Sequence, residues 1–246
     1  MKCKNCGLEV TSNFCPECGQ KSKVDKITFS YLINSIIDSV FQIEHGFFYT
    51  LKELILRPAK SIDSFIKGKR VNFYKPFAYV IIMTSITSFL VYLVELYVHS
   101  NLELSTIQID PNTIQYYFMV ASAIFSKYQG LFYFLMIPII SICSWSFFFR
   151  KFNYWENIVL NTYITAQFNL LIIVAQFSRI FLNGTVSYTP YLIIYFTYLG
   201  YVYSKFFSVN IKNRFLYALK LIALNFIIVF VYTTGLSLAG IMTPWW

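Results

Sequence analysis

The feature that most constrains this chain is the scarcity of charge after residue 76. The 170 residues from Phe77 to the C-terminus carry 8 of the 20 Lys and Arg side chains and 4 of the 11 Asp and Glu side chains. So few charges cannot give a water-soluble domain of that size a polar surface. The whole chain is 57% apolar, whereas soluble domains are about 45–50% apolar. We therefore exclude a soluble globule and predict an all-α integral membrane helix bundle over residues 76–246.

Five apolar runs in this region are long enough to cross a bilayer, whose hydrocarbon core of about 30 Å requires about 20 helical residues. The five predicted spans are residues 77–98, 130–149, 157–177, 191–207 and 215–239. The apolar stretch at 111–129 is shorter, and we expect it to lie on the outer surface or to dip into the membrane. If it crossed, there would be six spans and the C-terminus would change sides.

The distribution of Lys and Arg predicts the orientation of the spans, because positive residues near span ends are retained in the cytoplasm. With five spans and a cytoplasmic N-terminus, 18 Lys and Arg lie inside, and only Lys127 and Arg179 lie outside. No apolar stretch precedes Ile27, so we expect no cleavable signal. We predict a multi-pass membrane protein with a cytoplasmic N-terminus and an external C-terminus.

Four cysteines in residues 1–22 form the most specific motif in the chain. Cys3 and Cys6 make one C-x-x-C-G pair, and eight residues later Cys15 and Cys18 make a second. Each pair lets a tight turn direct two thiolates at one ion, and two pairs complete a closed tetrahedral zinc site. Such a site is structural, because no ligand position remains for water or substrate. We predict a zinc ribbon that is unfolded without Zn²⁺, since so short a segment has almost no core.

Two other interpretations of these cysteines remain open from the sequence. They could form two disulfides, although cytoplasmic thiols stay reduced. A rubredoxin-like iron site would use the same four ligands. The fifth cysteine, Cys143, lies within the second predicted span and is most simply a small buried apolar side chain.

Residues 23–75 have the pattern of amphipathic helices at a membrane surface. Apolar side chains recur at helical spacing over residues 29–41, 47–55 and 62–66. The second of these stripes consists of Phe47, Phe48, Leu51, Leu54 and Ile55. A basic cluster accompanies the helices, and it consists of Lys60, Lys67, Lys69, Arg70 and Lys75.

We expect this basic cluster to bind anionic lipid headgroups, at about 1 kcal/mol per cation. The alternative is that the helices simply pack on the cytoplasmic ends of the spans, and both can hold together. Nucleic acid is not an expected partner, because the cations adjoin a membrane span, where retention in the cytoplasm already explains them.

Polar side chains line one face of the third predicted span, within an arc of about 140° when projected at 100° per residue. They are Asn157, Asn161, Thr162, Thr165, Asn169 and Gln176. Because polar groups are costly in lipid, we expect this polar stripe to face the bundle. There it either hydrogen bonds to neighbouring helices or, with Glu95 of the first span, lines a path for a small solute. We favour helix-to-helix bonding, the usual role of neutral Asn, Gln and Thr in membranes.

No catalytic arrangement emerges from the sequence. Its two histidines, His45 and His99, fall on opposite sides of the predicted membrane, and no motif places a Ser or Cys beside either. A phosphate-binding Gly-rich loop and an H-E-x-x-H motif are also absent from the sequence. We therefore name no catalytic residue.

Several different short motifs occur along the chain. They are C-x-x-C-G at 3–7, C-P-E-C-G-Q at 15–20, E-H-G-F-F-Y-T at 44–50, R-P at 57–58, G-K-R at 68–70, Y-K-P-F at 74–77 and N-Y-W-E-N at 153–157. Together they resemble a family of bacterial zinc-ribbon, multi-pass inner-membrane proteins of unknown function. The resemblance implies a membrane protein with a short cytoplasmic ribbon and brings no substrate. The family carries His where this chain has Asn157, which argues against a metal or proton site there.

These observations predict a non-enzymatic membrane protein whose zinc ribbon and amphipathic helices form a cytoplasmic docking or regulatory platform on the bundle. Its expected partners are the bilayer with its anionic headgroups, a cytoplasmic protein bound through the ribbon, and a second copy of the chain. The alternative is a transporter or oligomeric pore that uses the polar stripe. A membrane-embedded enzyme acting on lipid is a third and less favoured interpretation.

Overall fold

The computed structural model describes residues 1–24, 26–32, 46–101, 130, 133–146, 152–182, 189–207 and 223. Within this part of the chain the secondary structure is mainly helical, and the N-terminal segment has isolated β-bridges but no strand. The longer helices are α1 (Phe47–Leu56), α2 (Pro58–Ile66), α3 (Pro76–Asn101), α4 (Tyr133–Ser146), α5 (Tyr154–Phe181) and α6 (Thr189–Phe206). The helical class predicted from the sequence is therefore confirmed for the described residues.

Two of the described helices are long and apolar enough to cross a membrane, by length and composition alone: Pro76–Tyr97 within α3, and α5. This is fewer than the five predicted spans. The second predicted span contains α4, which is apolar, and residues 131–132 and 147–149 of that span lie outside the described residues. The fourth corresponds to α6, whose tyrosines and Lys205 reduce its hydropathy. The fifth span, apart from residue 223, and the stretch at 111–129 lie outside the described residues.

The long helices pack side by side with alternating direction. Helices α3 and α5 run in the same direction, because later residues of one contact later residues of the other. Gln167 donates to the hydroxyl of Tyr79 at 3.0 Å, and further along Thr87 donates to the carbonyl of Asn169 at 3.4 Å. Helix α4 runs opposite to α5, since its first residue, Tyr133, contacts Phe168 while its end lies beside the start of α5. Helix α6 also runs opposite to α5.

Helix α5 extends well beyond a bilayer's apolar thickness. Its 28 residues correspond to about 42 Å at 1.5 Å per residue. Asn153 caps its start by accepting from the amide of Glu156, while the Glu156 carboxylate accepts from the Asn153 amide, each at 2.8 Å. Nearly all side chains in its first half are buried, whereas Val174, Phe177 and Phe181 near its end are exposed. The first half of α5 is therefore enclosed by protein.

The α1–α2 hairpin contributes to this enclosure and explains the motif at 44–50. Gly46, at φ 156°, lies so close to the segment before α3 that a Cβ there would be 3.1 Å from the carbonyl oxygen of Asn72. Thr50 accepts a hydrogen bond from the amide of Tyr74 at 2.7 Å, and the hydroxyl of Tyr163 donates to the carbonyl of Tyr74 at 2.7 Å. The glycine and threonine of the motif thus join α1 to the segment before α3, and Tyr163 joins that segment to α5.

The apolar stripe predicted for α1 divides by burial. Leu54 is fully buried, and Phe47 and Leu51 pack against the core, but Phe48 and Ile55 are exposed. Tertiary packing covers one edge of the stripe and leaves the other edge exposed. Most of the preceding stripe, at residues 33–41, lies outside the described residues.

Candidate metal centre

Two short loops with the same hydrogen-bond pattern, twelve residues apart, hold the four N-terminal cysteines. The amide of Cys3 donates to the carbonyl of Leu8 at 2.8 Å, and the amide of Cys15 donates to the carbonyl of Gln20 at 2.8 Å. Antiparallel bridges, Lys2 with Glu9 and Phe14 with Lys21, close the two loops. The chain therefore folds locally into two equivalent knuckles, each presenting its thiols from a tight turn.

A glycine follows the second cysteine of each knuckle because the turn needs a positive φ. Gly7 has φ 85° and Gly19 has φ 71°, a region that residues with a Cβ rarely adopt. Their amides donate to the carbonyls of Cys3 and Cys15 at 2.9 Å. This geometry accounts for the C-x-x-C-G spacing in both knuckles.

The four thiols converge on one point between the knuckles. The sulfur of Cys3 lies 3.6 Å from that of Cys18, and the sulfur of Cys6 lies 3.5 Å from that of Cys15. All four sulfurs lie within 4.8 Å of one another. A tetrahedral ion with bonds of about 2.3 Å to sulfur places its ligands about 3.8 Å apart. The cluster therefore has the dimensions of a four-thiolate metal site.

The disulfide interpretation does not describe this structure, in which all five cysteines are free. A disulfide requires a sulfur separation of about 2.05 Å, far below the observed contacts. The closest contacts also pair a cysteine of one knuckle with a cysteine of the other, as expected for ligands that share an ion. Cys143 lies in α4, outside the cluster.

The protonation of the cluster favours a cation at its centre. Hydrogen bonds from the backbone amides of Cys6 and Asn5 lower the pKa of Cys3 to about 6. At Cys6 the amide of Leu8 lowers the pKa, but desolvation and the neighbouring thiols together raise it to about 12. The Cys3 thiolate thus forms readily, whereas desolvation and the neighbouring thiols oppose ionisation of Cys6. A bound divalent ion would remove this repulsion and hold all four as thiolates.

The ribbon has almost no core of its own apart from this cluster. Its buried apolar set consists of Cys3, Val10 and Cys15, with Cys18 packed against it. Three of the four sulfur ligands thus form most of the interior of the segment, whereas Cys6 is exposed. A metal ion bound by all four would be closed to water, which fits a structural role and not a catalytic one.

The side chain of Gln20, to which sequence reasoning assigned no role, attaches the ribbon to the loop between α2 and α3. The amide group of Gln20 donates to the carbonyl of Gly68 at 2.8 Å and accepts from the backbone amide of Arg70 at 3.2 Å. Gly68 has φ 115°, and a Cβ there would lie 2.8 Å from the side chain of Lys4. The G-K-R motif is therefore the ribbon's contact loop. The only signal for this contact in the sequence was the glutamine that follows C-P-E-C-G.

The predicted basic cluster divides into exposed and packed members. Lys60, Lys67 and Lys69 are exposed, and Lys67 pairs with Asp63 at 2.5 Å. The guanidinium of Arg70, in contrast, lies over the rings of Tyr31 and Phe65, at 4.4 and 5.6 Å from their centroids. Lys75 is half-buried. Arg70 is thus part of the packing between the ribbon loop and the helices.

The polar stripe of α5 is buried along its length. All six predicted members are buried: Asn157, Asn161, Thr162, Thr165, Asn169 and Gln176. Gln176 accepts from Arg179 at 3.4 Å. Glu95 is exposed on α3 and so does not join this stripe.

The best-connected member of the stripe is Asn161, which links three helices. Its amide nitrogen lies 3.1 Å from the hydroxyl of Ser141, 3.0 Å from that of Ser144 and 2.9 Å from the carbonyl of Asn157. Its amide oxygen accepts a hydrogen bond from the hydroxyl of Tyr203 in α6. Ser144 also donates to the Asn157 amide oxygen at 3.1 Å. We call Ser141, Ser144, Asn157, Asn161 and Tyr203 the polar cluster.

Asn169, which lies further toward the C-terminal end of α5, makes fewer side-chain hydrogen bonds than Asn161. Its amide nitrogen donates to the carbonyl of Thr165 at 3.0 Å. Its buried amide oxygen has no hydrogen-bond partner among the described residues.

Comparison with known proteins gives one match. Residues 44–88 match the family described as "Protein of unknown function (DUF3667)". The matched segment comprises the α1–α2 hairpin, the ribbon's contact loop and the first half of α3. No curated protein and no solved structure gives a significant match. Similarity to an uncharacterised family is thereby supported over this segment, which does not include the cysteines.

Proposed function

We propose that the chain is a non-enzymatic multi-pass protein of the inner membrane, in which a cytoplasmic zinc ribbon serves as a docking or regulatory module. The observation that carries the proposal is the attachment of the four-thiol cluster to the first long apolar helix. Gln20 follows the last cysteine by two residues and bonds to the backbone at Gly68 and Arg70, six residues before α3 begins. A rigid, metal-bound ribbon in that position can transmit the binding of a partner at its surface to the helices.

Zinc is the proposed ion because of the ligands and the closed geometry. Four thiolates at tetrahedral spacing suit Zn²⁺, which has no redox chemistry and commonly stabilises small ribbons. The ion would be held by Cys3, Cys6, Cys15 and Cys18. It would supply the stability that the few buried apolar side chains of the ribbon cannot.

Membrane embedding is supported by the apolar side chains that the long helices leave uncovered. On α3 and α5 the large exposed apolar residues are Ile86, Phe89, Tyr92, Leu93, Leu96, Tyr97, Val174, Phe177 and Phe181. A surface of this kind is unfavourable in water and favourable in acyl chains. The exposed lysines near the ribbon contact loop support a cytoplasmic position for that end.

The polar stripe supports the proposed bundle better than a conducting path. Asn157 and Asn161 use their amide groups on neighbouring helices or on their own backbone. Groups that bond to each other in this way join helices and leave few sites for a passing solute.

Co-purification from membranes tests the docking role. We expect at least one cytoplasmic protein to be retained by the intact chain and lost from the Cys15→Ser, Cys18→Ser double variant, because the ribbon surface requires the metal. The matched control is Cys143→Ser, which removes a thiol far from the ribbon and should retain the same partner. Identical partner profiles for the intact chain and the double variant would contradict the docking role.

A further inference from the structure

Helix α1 exposes an apolar surface that a helix of a water-soluble protein would bury. Its exposed face carries Phe48, Ile55 and Leu56, whose side chains are 80%, 52% and 60% exposed. Its inward face carries Leu54 at 0% exposure together with two polar side chains, Thr50 and Glu53, at 0% and 9%. In water the apolar side chains of an amphipathic helix face the core and the polar ones face solvent. Part of the apolar surface of α1 is therefore directed away from the protein interior, while two polar side chains are directed into it.

The polar groups on the inward face are satisfied, so this orientation is a stable arrangement. Glu53 accepts from Arg57 at 2.5 Å and from the hydroxyl of Ser61 at 3.0 Å. Thr50 accepts from the backbone amide of Tyr74. Rotating α1 to bury its apolar face would break these bonds and leave buried donors unpaired.

Helix α2, which follows directly, has the ordinary orientation. Ile62 and Phe65 are fully buried, while Lys60 and Lys67 are exposed. Two adjacent helices therefore present surfaces of different chemistry, one apolar and one cationic. A boundary between acyl chains and headgroups offers both environments within a few ångströms.

The position of α1 places its apolar face at the level where the first candidate span begins. The ring of Phe47 lies 5.3 Å from that of Tyr79, in the first turn of α3. On the other side, the hydroxyl of Tyr198 in α6 donates to the carbonyl of Leu54 at 3.3 Å. Helix α1 thus contacts α3 and α6, while Phe48, Ile55 and Leu56 lie on a side that the described part of the chain leaves exposed.

We propose that the uncovered face of α1 lies in the inner leaflet of the bilayer, with Phe48, Ile55 and Leu56 among the acyl chains. Lys52, exposed on the same face, extends its ammonium group toward anionic headgroups while its methylene chain stays in the apolar layer. Lys60 of α2 contacts the headgroup side. This inference rests on the proposed membrane embedding and adds the residues through which the family-matched segment binds lipid.

Site-specific photocrosslinking of the full chain in vesicles of phosphatidylcholine and phosphatidylglycerol tests this inference. Replacing Phe48 with p-benzoylphenylalanine keeps an aromatic ring in place, and the same residue is introduced separately at Ile55, Lys60 and Phe89. We expect adducts to lipid acyl chains from positions 48 and 55 and no such adducts from position 60. Mass spectrometry of the crosslinked protein identifies each adduct.

Position 89 separates this inference from the proposed embedding. Phe89 is 62% exposed on α3, and a lipid adduct there reports embedding alone. Lipid adducts at 89 without any at 48 and 55 would overturn the proposal for α1 and leave the embedded bundle intact. Adducts at 48 to a second copy of the chain would also overturn it. Failure to label lipid at 89 would contradict the embedding itself, and with it the lipid position of α1.

Discussion

Replacing Cys15 and Cys18 together with serine is expected to abolish metal binding and to unfold the N-terminal ribbon. The two substitutions remove half of a closed ligand set, and serine hydroxyls do not ionise to replace the thiolates. Structural zinc contributes about 10–16 kcal/mol of apparent binding energy in small zinc modules. The ribbon's buried apolar set, Cys3, Val10 and Cys15, cannot compensate for such a loss. Elemental analysis of the purified protein should give one zinc ion per intact chain and none per double variant.

The control for this prediction is Cys143→Ser, which should retain one zinc ion because Cys143 lies in α4, outside the cluster. Limited proteolysis adds a structural readout, since an unfolded ribbon should be cleaved within residues 1–24 in the double variant only. Iron in place of zinc would give a coloured protein and would contradict the choice of ion while leaving the site in place. An intact chain with neither metal would contradict the site.

The Asn161→Leu variant is expected to destabilise the bundle by about 2 kcal/mol or more, since each buried polar group left unpaired costs about 1–3 kcal/mol. Asn161 accepts from Tyr203 and donates toward Ser141 and Ser144. Leucine satisfies none of these groups, and all of them are buried. Unfolding of the purified protein in mixed micelles, followed by circular dichroism, measures the change.

Two further variants show whether the loss of stability in the Asn161→Leu variant arises in the polar cluster. Tyr203→Phe removes one donor and should cost about 1 kcal/mol, and combining it with Asn161→Leu should add little, because both act on one hydrogen bond. Thr197→Val is the matched control: its exposed hydroxyl bonds only within α6, to Ile193 at 2.8 Å, so stability should be unchanged. Wild-type stability in the Asn161→Leu variant would show that the cluster does not hold the helices together.

Features set by local chemistry were predictable from the sequence. The C-x-x-C-G repeats specify two turns whose glycines need positive φ, and the structure brings all four sulfurs together. The helix α5 begins at Tyr154, three residues before the predicted span at 157, because the side chains of Asn153 and Glu156 form a capping box, which is a local pattern of the sequence. In each case the determining contacts lie within a few residues, where spacing alone defines the geometry.

Features set by tertiary contacts were not predictable in the same way. Helical spacing placed Leu54 and Ile55 in one apolar stripe but did not show which edge of it is buried. The inward face of α1 is determined by Thr50 and Glu53, through partners on α2 and before α3. Likewise, composition made Arg70 a surface cation, whereas the structure places it over Tyr31 and Phe65. The contact between Gln20 and Gly68 spans 48 residues, a separation that no local pattern reports.

The side of the membrane on which the ribbon lies tests the account most directly. An epitope placed before Met1 can be exposed to a membrane-impermeant protease in intact spheroplasts and in inverted inner-membrane vesicles. We expect the epitope to be protected in spheroplasts and digested in inverted vesicles, because the lysine-rich N-terminal region stays in the cytoplasm. Digestion in intact spheroplasts and protection in inverted vesicles would place the four thiols in an oxidising compartment and contradict both the orientation and the zinc ribbon.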